Sequence, residues 1–172
     1  GKVNVNLWNF QGYIPLHIVL ETHTETPNLI DEYFNLLFEG SNLNIQNSDG
    51  DTCLHLLCSK NIWQQYEEQL KKKKLDIFIM NIQKMRPIDY INKNDLDLFL
   101  NIVTQSYIYR LRNKDTIWEY EWQNMCKKEL FPEFITKEQN DIIKALDVKV
   151  NTKNKEDICY SIVKSQLMKL IN

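Results

Sequence analysis

The chain has 172 residues, enough for one domain or two small ones with a sizeable buried core. Hydrophobic residues make up 43% and charged residues 26%, and a formal charge of −2 gives no general electrostatic reason to expect nucleic acid or an anionic membrane as partner. Every apolar run is interrupted by Asn, Lys, Glu or Asp before it reaches the length of a membrane span, and the start of the chain alternates apolar and polar residues unlike a signal peptide.

Asn4-Val5-Asn6 comes first, and then Asn9-Phe-Gln leads into the phrase Gly12-Tyr-Ile-Pro-Leu-His17. Gly12 suits a turn that needs a positive φ, and Pro15 suits the first turn of a helix, where a missing N–H leaves nothing unsatisfied. Leu16, His17, Val19 and Leu20 continue that helix, whereas Ile14 offers no oxygen to cap it. The polar run Thr24 to Pro27 reads as a loop, and Asn28 to Glu39 as a second helix carrying Ile30, Tyr33, Phe34, Leu36, Leu37 and Phe38. Gly40 is expected to end it in the left-handed conformation.

The phrase then returns as Gly50-Asp-Thr-Cys-Leu-His55 after Asn47-Ser-Asp. Thr52 is placed to cap a helix whose Leu54, Leu57 and Cys58 form one apolar stripe. Ile62 to Leu75 is expected to be the following helix, with Ile62, Trp63, Tyr66 and Leu70 inward and Lys71 to Lys74 at its C-terminus, where cations are favourable. A degraded third copy, Lys84-Met-Arg-Pro-Ile-Asp89, precedes a helix over Asp95 to Tyr109. Gly12 and Gly50 are 38 residues apart, and Lys84 follows Gly50 by 34, spacings that mark a repeat architecture.

The repeated Gly-x-Thr-Pro-Leu-His phrase resembles the signature of the ankyrin repeat, up to about residue 100. The resemblance implies an all-α fold: a solenoid of helix pairs with hairpin loops near 4–13, 41–51 and 76–86, followed by a C-terminal helical cap. The repeats are expected over residues 1–110, and residues 111–172, helical by their own capping and apolar spacing, are expected to pack on the last of them. The resemblance also implies that His17 and His55 are structural, bonded to backbone in the adjoining turn. Asn4-Val5-Asn6 matches the end of such a unit, which leads to the expectation that the protein continues N-terminally. The Asn, Lys and Ile bias is that of an AT-rich genome, such as some large DNA viruses or protozoa have, and with the repeat the chain resembles viral or parasite ankyrin proteins, those of poxviruses or giant viruses among them.

From about Asp115 the repeat pattern gives way to other helical signals. Asp115 can cap a helix holding Trp118 and Trp122, Thr136-Lys-Glu-Gln139 is a capping-box pattern, and Asn154 can cap a last helix. Leu130-Phe-Pro-Glu-Phe134 with Ile142, Ile143 and Leu146 is faintly similar to the F-box-like ending of poxvirus ankyrin proteins, which implies a ubiquitin-ligase adaptor as an alternative role. Self-assembly is a further alternative.

No Gly-rich phosphate loop, nucleophile elbow or His-Glu-x-x-His motif is present, so neither an enzyme nor a cofactor is expected. Cys53, His55 and Cys58 lack the spacing of a zinc site, and the four cysteines read as reduced thiols of a cytoplasmic protein, in host cytoplasm if viral. The family resemblance implies a protein partner; the chain is expected to be a monomer or weak homo-oligomer, and its charge and apolar runs lead to no expectation of nucleic acid or membrane. Mapped onto this sequence, the expected contact positions are Phe10, Gln11 and Tyr13, then Ser48, Asp49, Asp51, Ser59 and Lys60, then Ile82 and Met85. Phe10, Tyr13, Ile82 and Met85 are large and apolar where hairpin tips are normally polar, as in the cores of interfaces.

Overall fold

A computed structural model describes residues 3–22 and 27–112, together with Lys164, Leu167, Met168 and Ile171. The described residues hold helices and turns and no strand. The chain divides into two compact units, Gly1–Leu96 and Asp97–Asn172.

In the first unit of the chain, helix α1 (Pro15–Glu21) packs against both α2 (Pro27–Gly40) and α3 (Cys53–Ser59). A 3-10 turn, Trp63–Tyr66, runs into the short helix α4 (Glu67–Leu70), and a second 3-10 turn, Pro87–Tyr90, lies against α3. Leu16, Leu20, Phe34, Leu54, Leu57, Trp63 and Leu70 are fully buried between these elements. Phe34 stacks on Tyr66 with ring centroids 3.7 Å apart and on Phe38 at 4.8 Å, joining the second helices of successive repeats through one aromatic column. All four inward residues expected of the second repeat, Ile62, Trp63, Tyr66 and Leu70, are buried.

Three local expectations need correction. The helix expected over Ile62 to Leu75 is reduced to a 3-10 turn and four helical residues that end at Leu70. The tail beyond it bonds to the preceding repeat: Asn44 Nδ2 donates to the Lys74 carbonyl at 3.3 Å, and Asp76 N–H donates to Asn44 Oδ1 at 3.1 Å. In that tail, Lys73 Nζ donates to the Glu39 and Ser41 carbonyls at the end of α2, at 2.7 and 3.1 Å. Pro27, expected in a loop, is the first residue of α2. Gly40 is the last residue of α2 but has no positive φ; a Cβ there would stand 2.9 Å from Val5 Cγ2, so a larger residue would require the Val5 side chain to shift.

In the second unit, α5 (Leu96–Arg112) buries Phe99, Leu100, Ile102 and Val103, and Leu167 is buried as well. Lys164 pairs with Asp97 at 2.8 Å. The helices expected from Asp115 onward and the F-box-like segment lie outside the described residues, as does most of the expected loop at 24–27.

Candidate protein-interaction surface

Each repeat opens on a turn organised by one asparagine. Asn9 Oδ1 accepts from the N–H groups of Gln11 and Tyr13, both at 3.0 Å, and Asn47 Oδ1 accepts from those of Asp49 and Asp51 at 2.9 and 3.0 Å. Asn81 Oδ1 accepts from Met85 N–H at 2.9 Å. A main-chain bond closes each turn, from Asn9 to Tyr13, Asn47 to Asp51 and Asn81 to Met85. The residue before the turn's exit is left-handed: Gly12 at φ 77°, Gly50 at 75° and, in the degraded copy, Lys84 at 60°. Glycine has a second reason at Gly50, where a Cβ would come within 2.9 Å of the Asn81 backbone.

Two ladders then lock the turns together. At the tips, Ser48 N–H donates to the Gln11 carbonyl and Ile82 N–H to the Asp49 carbonyl, each at 3.0 Å. Behind them run the histidines. His17 Nδ1 accepts from its own Ile14 N–H at 3.1 Å, so the ring proton sits on Nε2, which donates to the Asp51 carbonyl at 3.0 Å. His55 does the same, with Nδ1 accepting from Thr52 N–H and Nε2 donating to the Met85 carbonyl at 2.9 Å. Burial holds the His17 pKa below its ordinary value of 6.5. In the third repeat Asp89 takes the histidine's place. Its carboxylate accepts from Arg86 N–H at 2.7 Å and pairs with the Arg86 guanidinium, which holds the Asp89 pKa below the usual carboxylate value. A carboxylate has no proton to hand onward, so the histidine ladder stops there.

The outer face of these turns carries most of the expected contact positions. Phe10 is fully exposed, Ile82 is 69% exposed, and Gln11, Ser48, Asp49 and Ser59 are exposed. Tyr13 is half-buried: its hydroxyl donates to Asp49 Oδ2 at 3.2 Å, and burial together with Asp49 raises its pKa. Asp51 is half-buried, its Oδ1 accepting from Asn81 Nδ2 at 2.9 Å. Lys60 Nζ donates to the Glu21 carbonyl at the end of α1, at 3.1 Å. Met85 is half-buried and contributes its carbonyl to the ladder. Sequence reading missed Trp8 and Met80, both exposed, two residues ahead of Phe10 and Ile82. The available signal was a large apolar residue directly before the turn asparagine in both places, Trp8 before Asn9 and Met80 before Asn81.

Other candidate chemistry stays weak. Cys53 and Cys58 are buried, and burial pushes both thiols far up, away from the reactive thiolate. Among the described residues no group of His, Cys, Asp or Glu is arranged to hold a metal, and no helix is long and apolar enough to cross a membrane. In the basic run, Lys71 pairs with Glu67 and Glu68, and Lys73 serves α2.

No protein-family model matches the chain, and no solved structure does. The chain is similar to an ankyrin repeat protein of Acanthamoeba polyphaga mimivirus, with 30% identity over 161 residues that cover 91% of this chain. It spans 21% of that relative's length. With the recurring asparagine turn, the histidine ladder and the paired helices, this similarity places the chain in the ankyrin-repeat family, beside a giant-virus member.

Proposed function

We propose that the chain is a protein–protein interaction module that binds a host or viral protein through its row of hairpin turns and the adjoining flank of the inner helices. It works without catalysis or cofactor, as a monomer or weak homo-oligomer in the cytoplasm. The observation that carries this reading is the exposure of Phe10 and Ile82 at the same position of two turns. Those turns are fixed by hydrogen bonds from asparagine, main chain and histidine, so the apolar side chains are held ready at little entropic cost to binding. Single exposed apolar residues are ordinary, whereas Trp8, Phe10, Met80 and Ile82 recur in register.

The test is a pull-down from candidate host lysate with the wild-type chain beside a Phe10→Ser, Ile82→Ser double variant, read by mass spectrometry. A protein retained by the wild type and lost from the variant, at unchanged melting temperature, supports the reading. A partner retained equally by both places the working surface elsewhere on the chain.

A further inference from the structure

One buried donor breaks the pattern of the turns. Asn81 Nδ2 donates to Asp51 Oδ1 at 2.9 Å and to Tyr90 Oη at 3.0 Å. In the preceding turn Asn47 occupies the same position with 6% of its surface exposed, yet its Nδ2 has no acceptor among the described residues. The sequence explains why. By the repeat, Tyr13 stands where the next turn has Asp51, and Leu56 stands where the next repeat has Tyr90, so both acceptors are gone. The Tyr13 hydroxyl is turned instead to Asp49, on the outer face. A fold that leaves a buried amide unsatisfied at one repeat and satisfies its twin at the next has given up a hydrogen bond to keep a tyrosine on the surface. Such local violations concentrate at working sites.

The surroundings of Tyr13 define what it would receive. Across the three turns the tip positions run Phe10, Ser48, Ile82, and the positions two residues earlier run Trp8, Gln46, Met80, so both rows are apolar at the ends and polar in the middle. The middle is acidic: Asp49 is exposed on the Tyr13 hydroxyl, and Glu21 and Asp51 lie close enough to act on that ring. The nearby cations are committed or peripheral, with Lys60 on the Glu21 carbonyl, Arg86 on Asp89, and Lys84 beyond the tip of the third turn.

We propose that this row binds an extended segment of the partner that carries an arginine between apolar side chains, the guanidinium seated on Asp49 and the Tyr13 ring and the flanking side chains against Phe10 and Ile82. The inference rests on the hairpin row being the partner surface. An arginine satisfies both features of the middle position, because its planar fork matches a carboxylate and its face stacks on an aromatic ring. Apolar neighbours on the segment match the exposed ends of the row.

The experiment is selection of random twelve-residue peptides displayed on phage against the whole chain, followed by titration of the recovered peptides. The expected winners carry an arginine with an apolar residue on each side. Their affinity falls at least tenfold on Asp49→Asn and on Tyr13→Asn, and weakens as salt is raised. Tyr13→Asn keeps or raises the melting temperature, because its amide oxygen gives Asn47 an acceptor, so a loss of binding is not a loss of fold. Winners that depend on Phe10 and Ile82 but carry no cation overturn the arginine proposal and leave the surface standing. Winners that bind the Phe10→Ser, Ile82→Ser variant as tightly as the wild type overturn both, and failure to recover any peptide overturns the proposal as well.

Discussion

The two histidines show how a single side chain can serve two repeats at once. Each ring accepts from its own helix start and donates to the next turn, and both positions are buried, so replacement leaves a main-chain donor and a carbonyl without partners. His55→Ala is expected to lower stability by roughly 1–3 kcal/mol, measured by urea unfolding. A change of a few tenths would mean that the ladder contributes little. At His17 the pH dependence follows from burial of the neutral ring. The folded-state pKa lies below 6.5, so the unfolded chain takes up the proton first, and the stability present above that value declines as pH falls through it toward the folded-state pKa. The urea midpoint should therefore drop between about pH 7 and pH 5; a rise over that interval would contradict the assignment of His17 as a buried neutral donor. The structural role of both histidines was legible through the resemblance of the phrase around them to the ankyrin signature. The orphaned Asn47 amide was not, since it depends on the residues at position 13 of the preceding repeat and position 56 of its own.

Among the elements, the turns were easier to foresee than the helices. Gly12 and Gly50 take the positive φ that their place before the helix implies, and Lys84 holds the same conformation without being glycine. Gly50→Ala should cost roughly 1–3 kcal/mol, from the left-handed backbone and the close Asn81 backbone together. Lys84→Gly should do the reverse and stabilise by about 0.5–1 kcal/mol, the relief of a left-handed residue less the added chain entropy. Thermal or urea unfolding reads both, and a destabilised Lys84→Gly would show that the lysine side chain has a contact role. The second helix of the middle repeat was overestimated. Its apolar spacing fits a helix through Leu75, but the Asn44 side chain claims Lys74 and Asp76 for the turn, a long-range competitor that local periodicity cannot reveal. Gly40 does end α2 as read, but without the left-handed conformation, and its closest neighbour is Val5, 35 positions away in the sequence.

At the scale of the whole molecule, equivalent positions of successive repeats differ by what covers them. Ile18 is 46% exposed, whereas Leu56, its counterpart one repeat later, is 5% exposed. Leu56→Ala should cost roughly 2–4 kcal/mol, while Ile18→Ala should cost less than about 1 kcal/mol, a difference that two urea titrations can establish. The family and the all-α architecture were legible because a solenoid writes its repeat into the sequence, and the exposed positions Phe10, Gln11, Ser48, Asp49, Ser59 and Ile82 followed from that register. Trp8 and Met80 escaped notice because the family phrase begins after them. The central claim is that the hairpin row is the binding surface, and affinity measured on a recovered partner or peptide tests it most directly. Isothermal titration of the wild type against Phe10→Ser, Ile82→Ser should show a loss of 2 kcal/mol or more, on the order expected for interface anchors, with the melting temperature unchanged. Equal affinity for both proteins would contradict the account.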